Sequence, residues 1–391
     1  MSGKSITRVC HIIVGLNVGG AELMLNRLIE AHLPSNEYEH VVVSLTSLGA
    51  VGARLQAQGV EVQALKLRGA WDVLPKLGKL MRILQQMRPD VVQTWMYHAD
   101  FLGGLAARMV GNKNVIWGIR TTDVSAGGSR ATAGLRWLCA RLSCWVPHTI
   151  VCAAEASRRA HVTLGYRADR MAVVPNGFDL RRLNATPTQV AALRSDCGFA
   201  SDAMVVGTLG RFNADKDQLN FVRAAGLFAK KHPKAHFLMI GRGCDAANAQ
   251  LMSWITASGC ADRFVLLGER SDAPVCLAAM DMFCLSSRTE GFPNVVGEAM
   301  AMSKVCVVTD VGDATYLLGE CGVVVPKEDS AALMEGMARL AGLSAAERAL
   351  LGEQARARIA SKFTMERTCE RFEAIYANVL ADQTSQKTNI K

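Results

Sequence analysis

The residues with the most chemistry to offer run from Ser286 to Glu298, Ser-Ser-Arg-Thr-Glu-Gly-Phe-Pro-Asn-Val-Val-Gly-Glu. Glu290 and Glu298 stand eight apart, a spacing that Glu22/Glu30 and Glu320/Glu328 share, so the interval alone decides nothing. The context decides. A buried-looking strand, Met282–Leu285, ends in small polar residues, and a Gly/Pro turn (Gly291, Phe292, Pro293) then delivers the chain into a helix at Asn294. Glu290 falls on the turn and Glu298 about one turn inside the helix. The amides of Asn294, Val295 and Val296 lie between them, where a helix start leaves N–H groups unsatisfied. One carboxylate could accept bonds from sugar hydroxyls, the amides could hold a phosphate, and the second carboxylate could take ribose hydroxyls. The stretch Val-Val-Gly-Glu-Ala-Met-Ala is apolar enough to be buried, and a carboxylate there needs a partner.

A second segment runs Gly210-Arg211-Phe212-Asn213-Ala214-Asp215-Lys216-Asp217 after the strand Val205–Leu209. Arg211 and Lys216 can then sit at the strand's carboxyl end, where open α/β sheets bind ligands. Two cations there could neutralise a diphosphate leaving group. Salt bridges from these cations to Asp215 and Asp217 are the competing expectation. A third segment, Gly15 to Glu22, follows a strand and opens a helix. Gly19 and Gly20 would let backbone amides approach an anion. It is neither G-x-G-x-x-G nor a Walker loop, so it specifies neither NAD nor ATP. His98 follows another strand and could reach the same region or simply cap the next helix.

These segments need a scaffold, and short β-rich runs alternating with helical patterns supply one: α/β with parallel sheets. The first half reads as strands Val9–Val14, His40–Leu45, Val60–Ala64, Val91–Thr94, Val115–Gly118, Thr149–Cys152 and Met171–Val174, with helices at Ala21–His32 and Val73–Met87. In the second half, strands fall at Val205–Leu209, Ala235–Ile240, Phe264–Leu267, Met282–Leu285, Val305–Thr309 and Gly322–Val325. Helices are expected at Gln218–Lys231, Ala246–Ser258, Ala273–Ala279, Asn294–Met302, Ala345–Ala360 and Met365–Ala381. The turn formers and charges of Pro175–Pro187 mark the joint. The expected division is 1–180, 181–364, a C-terminal helix 365–382 crossing back to the first domain, and a flexible tail 383–391.

At 391 residues, half of them hydrophobic, the chain can bury two cores. Its twelve cysteines are scattered, with no zinc spacing, which fits reduced thiols in a cytosolic protein. The first apolar run leads straight into a glycine turn and is read as a strand, not a signal peptide. No stretch is apolar enough to span a bilayer. The net charge of +9 sits almost wholly in residues 1–180, which suits an anionic surface or substrate, or simple solubility. Lys76, Lys79 and Arg82 beside Leu74, Leu77, Leu80 and Leu84 could form a membrane-facing surface. Core leucines with solvated lysines are the preferred reading.

The order Gly-Gly-Ala-Glu, Gly-Arg-Phe-x4-Lys and Glu-Gly-Phe-Pro-x4-Glu resembles the retaining glycosyltransferases of family 4, over nearly the whole chain. Val174-Pro175-Asn176-Gly177 and Thr309-Asp310-Val311-Gly312 extend the likeness. The resemblance implies the GT-B fold, two Rossmann-like domains whose parallel sheets face a central cleft. It implies a nucleotide-sugar donor and a glycan or lipid-linked glycan acceptor, and the basic first half could bring the chain to the cytoplasmic face of an anionic inner membrane. By the same resemblance Glu298 holds ribose and Glu290 contacts the transferred sugar. Arg211, Lys216 and the amides near Gly291, Phe292 and Asn294–Val296 bind the diphosphate, with Gly19 and Gly20 closing over it. The anomeric configuration would be retained, with no cofactor and no divalent metal. One position departs: where some relatives carry histidine, this chain has Arg120, which cannot act as a base. Arg120 would bind an acceptor anion or pair with Asp123. A sugar-nucleotide epimerase or phosphorylase of the same fold stays open. A nucleic-acid binder lacks aromatic interleaving or a known module, and no nucleic-acid partner is expected.

Overall fold

The computed structural model describes residues 6–122 and 130–388. The chain divides into two compact units, one formed by residues 1–177 with 365–391, the other by 178–364.

The first unit holds strands β1 (Thr7–Ile13), β2 (Tyr38–Ser44), β3 (Glu61–Ala64), β4 (Val91–Trp95), β5 (Val115–Ile119), β6 (Thr149–Cys152) and β7 (Met171–Val173). Its helices are α1 (Gly20–His32), α2 (Gly49–Ala57), α3 (Val73–Met87), α4 (Tyr97–Met109), α5 (Arg130–Leu142) and α6 (Glu155–Thr163). The second unit holds α7 (Pro187–Asp196), β8 (Met204–Leu209), α8 (Gln218–Ala229), β9 (Ala235–Ile240), α9 (Ala249–Ala257), β10 (Phe264–Leu266), α10 (Ala273–Ala278) and β11 (Met282–Leu285). It continues with α11 (Asn294–Ala301), β12 (Val305–Thr309), α12 (Ala314–Leu318), β13 (Gly322–Val325), α13 (Ser330–Ala341) and α14 (Ala345–Lys362). The last helix, α15 (Met365–Thr388), belongs to the first unit.

Both sheets are parallel. Their orders are β3-β2-β1-β4-β5-β6-β7 and β10-β9-β8-β11-β12-β13, with each order reversing direction once, between β1 and β4 and between β8 and β11. Ligands of such sheets bind beyond the carboxyl ends of the strands at that reversal. Strands such as β4, β5 and β12 are buried along their whole length because helices cover both faces.

One face of the first sheet packs on α1 and α15, through Met24, Leu25, Leu28, Phe372, Tyr376 and Val379. Polar groups reinforce that seam. Trp95 Nε1 donates to His11 Nδ1 at 3.3 Å, His11 Nε2 lies 2.9 Å from His40 Nδ1, and His40 Nε2 lies 3.0 Å from His32 Nδ1. His32 Nε2 then approaches Glu373 of α15 at 3.3 Å. Trp95 can only donate and a carboxylate can only accept, so every imidazole in the row carries its proton on Nε2. Tyr376 donates its hydroxyl to Gln93 beside this row.

Within Pro175–Pro187 the division between the units follows Gly177. Asn176 and Phe178 are buried, Phe178 pairs with Thr364, and Pro187 opens α7 behind a reciprocal Thr186/Gln189 cap. Two expectations need correction. The final helix runs on to Thr388, since Asp-Gln-Thr-Ser-Gln-Lys contains no glycine or proline to stop it, and residues 389–391 lie outside the described residues. In α3 the core takes Leu80, Ile83 and Leu84, whereas Leu74 and nearby Trp71 are exposed. No helix among the described residues is long and apolar enough to cross a membrane.

Candidate functional site

At the reversal of the second sheet, two loops lie side by side because β8 and β11 pair directly. The loop after β8 folds into a short 3-10 turn at Ala214–Lys216, capped by the Asn213 side chain, which accepts from the Lys216 amide. Asp217 follows in a left-handed conformation, φ 46°, and caps α8. The loop after β11 is stitched onto it: Ser286 Oγ donates to the Lys216 carbonyl (2.9 Å) and the Arg288 amide donates to the Asp215 carbonyl (2.8 Å). Arg288 also clamps Asp217, Nε to Oδ2 at 2.9 Å.

This stitching delivers Lys216 Nζ to Glu290 Oε1 at 2.6 Å. Ser287 Oγ donates to the same oxygen, also at 2.6 Å. The expected salt bridges from Arg211 and Lys216 to Asp215 and Asp217 do not form. Arg288 takes Asp217, and Lys216 turns to Glu290 instead. Arg211 is exposed, with no carboxylate partner among the described residues. A carboxylate with both of its donors on Oε1 still offers Oε2 as an acceptor.

Behind Glu290 the backbone is held by the turn after β12. Asp313 donates its amide to the Gly291 carbonyl (2.9 Å), and Thr309 Oγ1 donates to the Ser287 carbonyl (2.8 Å). Gly312 sits at φ 56°, and a Cβ there would lie 2.4 Å from the carbonyl oxygens of Glu290 and Gly291. Only glycine permits that close approach.

Helix α11 starts at Asn294 after Pro293, and Glu298 sits half-buried on its second turn. One expectation for this start is corrected. Val296 is buried and its amide donates to the Pro293 carbonyl at 3.0 Å, so it is removed from the expected phosphate-binding set. The Phe292 ring is buried between Phe178 and Phe363, at centroid distances of 6.2 and 5.8 Å, and anchors the loop, which leaves the expectation for its backbone amide as it was. Val295, second residue of the helix, has no helical carbonyl one turn before it. Gly297 sits under the Phe178 ring, which a Cβ would strike at 2.1 Å.

In the first unit, Gly19 precedes α1 in an extended conformation and Gly20 opens it, with no atom within 4 Å of where its Cβ would stand. Neither glycine is needed for a left-handed turn; Gly20 leaves open backbone, whereas a Cβ at Gly19 would meet the Glu22 carboxylate at 2.4 Å. His98 is the second residue of α4 and lies at the reversal between β1 and β4. It is exposed at one edge, and desolvation of the rest of the ring lowers its pKa below 6.5. Two residues before it, Met96 stands at φ 75° between β4 and α4, a strained conformation for a non-glycine residue.

Arg120, after β5, lies 4.6 Å over the Trp95 ring and donates Nη1 to Asn176 Oδ1 at 2.9 Å. Its Nε and Nη2 are buried and unpartnered, and burial pushes its pKa down to about 10, so it stays charged. Asp123, the expected alternative partner, lies outside the described residues. Beside it, Asp100 is buried, accepts from Thr94 Oγ1 (2.5 Å) and the Gly118 amide (3.2 Å), and has its pKa raised by burial to about 8. Among the described residues no group of three or more His, Cys, Asp or Glu could hold a metal ion.

Sequence reasoning missed Ser287, Arg288, Met96 and Asp100. Asp100 carried a signal, a carboxylate in an otherwise apolar helix. The others are visible only once the loops are paired.

Comparison with known proteins places this geometry. Residues 203–342 match the family described as glycosyl transferases group 1, and residues 18–182 match glycosyltransferase family 4. The chain is 21% identical, over 79% of its length and 81% of the relative's, to the UDP-Gal:alpha-D-GlcNAc-diphosphoundecaprenol alpha-1,3-galactosyltransferase of Escherichia coli. It is 26% identical to the lipopolysaccharide core biosynthesis mannosyltransferase LpcC of Rhizobium leguminosarum bv. viciae, over 81% of this chain and 88% of that one. Among solved structures, Anabaena Alr3699/HepE in complex with UDP superposes with a TM-score of 0.84 at 20% identity, covering 95% of this chain and all of the other.

Proposed function

The chain belongs to the group 1 and family 4 glycosyltransferases, with the GT-B fold, and from that premise we propose a retaining transfer of a hexose or N-acetylhexosamine from a UDP- or GDP-sugar to a glycan or lipid-linked glycan. Its place is polysaccharide or lipopolysaccharide biosynthesis, as for its relatives. The observation that carries the proposal is the Lys216–Glu290 pair beside exposed Arg211, at the carboxyl ends of β8 and β11.

The donor's diphosphate lies against Arg211, Lys216 and the first amides of α11, which gain most from the charge that develops as the glycosidic bond breaks. Glu290 accepts from hydroxyls of the transferred sugar, and Lys216 and Ser287 fix its orientation. Glu298 takes the ribose hydroxyls. The acceptor hydroxyl attacks from the face the diphosphate leaves, giving up its proton to that leaving group, so configuration is retained. Side-chain and amide charge does the work a divalent metal would otherwise do, so no metal or other cofactor is required. His98 serves the acceptor side of the reaction, while Gly19 and Gly20 present backbone that a phosphate can approach. Arg120 supplies a buried positive field there, which suits a phosphate-bearing acceptor.

The UDP in the Anabaena protein and the UDP-galactose of the Escherichia coli relative favour uridine. The diphosphoundecaprenol in that relative's name favours a lipid-linked acceptor, reached by peripheral contact with an anionic membrane through exposed Trp71 and Leu74 and the basic residues of α3. A thermal-shift screen across UDP-, GDP-, ADP- and CMP-sugars tests the donor. A uridine or guanosine sugar is expected to raise the melting temperature, with EDTA making no difference. Stabilisation by none of the four would remove the proposal.

A further inference from the structure

We infer that the first unit carries a second ligand site, for a phosphorylated sugar or polyol, in a pocket at the amino ends of β5, β6 and β7. These are the ends opposite to those bearing Arg120 and His98, so the pocket is not part of the site described above.

The pocket has a volume of about 410 Å³, within the range that encloses a small ligand. Lys113 and Asn114 line it immediately before β5, His148 before β6 and Arg170 before β7, with Arg108 reaching in from the last turn of α4. Three of these are permanent cations without a carboxylate partner among the described residues. Arg108 lies 5.2 Å over the Trp145 ring, Arg170 donates to the Pro147 carbonyl at 2.6 Å, and Lys113 makes no ion pair. The one carboxylate of the pocket, Asp382, is taken by His148 at 3.0 Å. Burial, and then the charge of Arg170, lowers the Arg108 pKa. Like charges gathered this way repel, and an anion between them relieves the repulsion.

Asn114 belongs to the pocket wall. It is buried, 5% exposed, and its Nδ2 donates to the Asp90 carbonyl at 2.7 Å. A carbonyl demands a donor, so the amide cannot be flipped, and Oδ1 is left buried and unpartnered on a residue of the pocket wall. That oxygen is closed off from the cavity, so the ligand's second feature is read from Trp145, 53% exposed in the same wall: cations in need of an anion beside an aromatic face match a sugar ring that carries a phosphate. A plain phosphate would leave the tryptophan bare.

Calorimetric titration of the full-length protein with glucose 6-phosphate, with and without saturating UDP, tests this. Binding should persist with UDP present, and inorganic phosphate or glucose alone should bind at least about tenfold more weakly. Lys113→Glu and Arg108→Gln should each weaken glucose 6-phosphate binding by about tenfold or more, while melting temperature and UDP binding stay as in the wild type. Retention on phosphatidylcholine vesicles doped with phosphatidylinositol 4-phosphate, lost in Lys113→Glu, would identify a membrane-borne headgroup. Binding of the soluble sugar phosphate alone would identify a free one. Displacement by UDP, indifference to both substitutions, or no binding at millimolar concentration would overturn the inference.

Discussion

Lys216 and Glu290, 74 residues apart in the chain, meet at 2.6 Å with only 26% and 11% of their side chains exposed. The pair joins the loop proposed to receive a diphosphate to the loop proposed to grip the transferred sugar. The two side chains therefore act as one unit, and their substitutions should not add. Glu290→Gln and Lys216→Met should each lower kcat by about ten- to a hundredfold. The double variant should be little worse than the poorer single one, a coupling of about 1–3 kcal/mol. Steady-state kinetics of the four proteins measure it, and independent effects would separate the two roles.

Glu298, on the second turn of α11, is expected to act in binding. Glu298→Ala should weaken nucleotide-sugar affinity by about ten- to a hundredfold, the worth of one or two hydrogen bonds to a charged acceptor. The circular dichroism spectrum should not change. Calorimetric titration checks this, and an unchanged Kd would remove Glu298 from the site.

Asp100 makes stability fall as pH rises. Its folded pKa of about 8 stands above the usual 3.8, so the folded state keeps a proton that the unfolded chain has lost. Its contribution is complete below the unfolded value and declines by about 1.4 kcal/mol per pH unit until the folded value is passed. Asp100→Asn, which keeps an oxygen for Thr94 and Gly118, should gain melting temperature over the wild type from pH 5 to pH 9. Parallel curves would show that Asp100 is ionised in the fold.

The histidine row acts in the opposite direction. Burial lowers His32 to about 4, His40 to about 3, and His11 well below 6.5, where neighbouring imidazoles add to the effect. All three are neutral in the fold, so their contribution is whole above the unfolded value and is lost as pH falls through the folded ones. Calorimetric unfolding between pH 7 and pH 4 should show a falling melting temperature and proton uptake on unfolding. That acid limb should survive in Asp100→Asn. A flat profile would mean that the row is already charged.

The parallel strands were legible almost to the residue, because a strand buried on both faces must be continuously apolar, as in Val305–Thr309. Helices carrying glycine were legible where the apolar period runs through, as at Gly78, Gly226 and Gly297, but α4 was not read. It carries Gly103 and Gly104, and a Cβ at either would strike Ile12 and Thr94, or Trp117 and Val146, at under 3 Å. These glycines mark where the helix lies closest on the sheet. The cations and acids of the candidate site were also legible as residue types at strand ends. Their pairing was not. Lys216 turns to Glu290 because Arg288, from the neighbouring loop, has already claimed Asp217, and no local pattern encodes that competition.

The return of α15 to the first unit has a consequence for how the protein is made. On the ribosome, residues 1–177 emerge long before Phe372, Tyr376 and Val379, so the apolar surface of Met24, Leu28 and Trp95 waits uncovered. Residues 178–364 form an uninterrupted stretch and can close their core in the interval. The part translated first is thus the last to be finished, and its vulnerable period lasts until nascent residue 365 and its successors leave the exit tunnel.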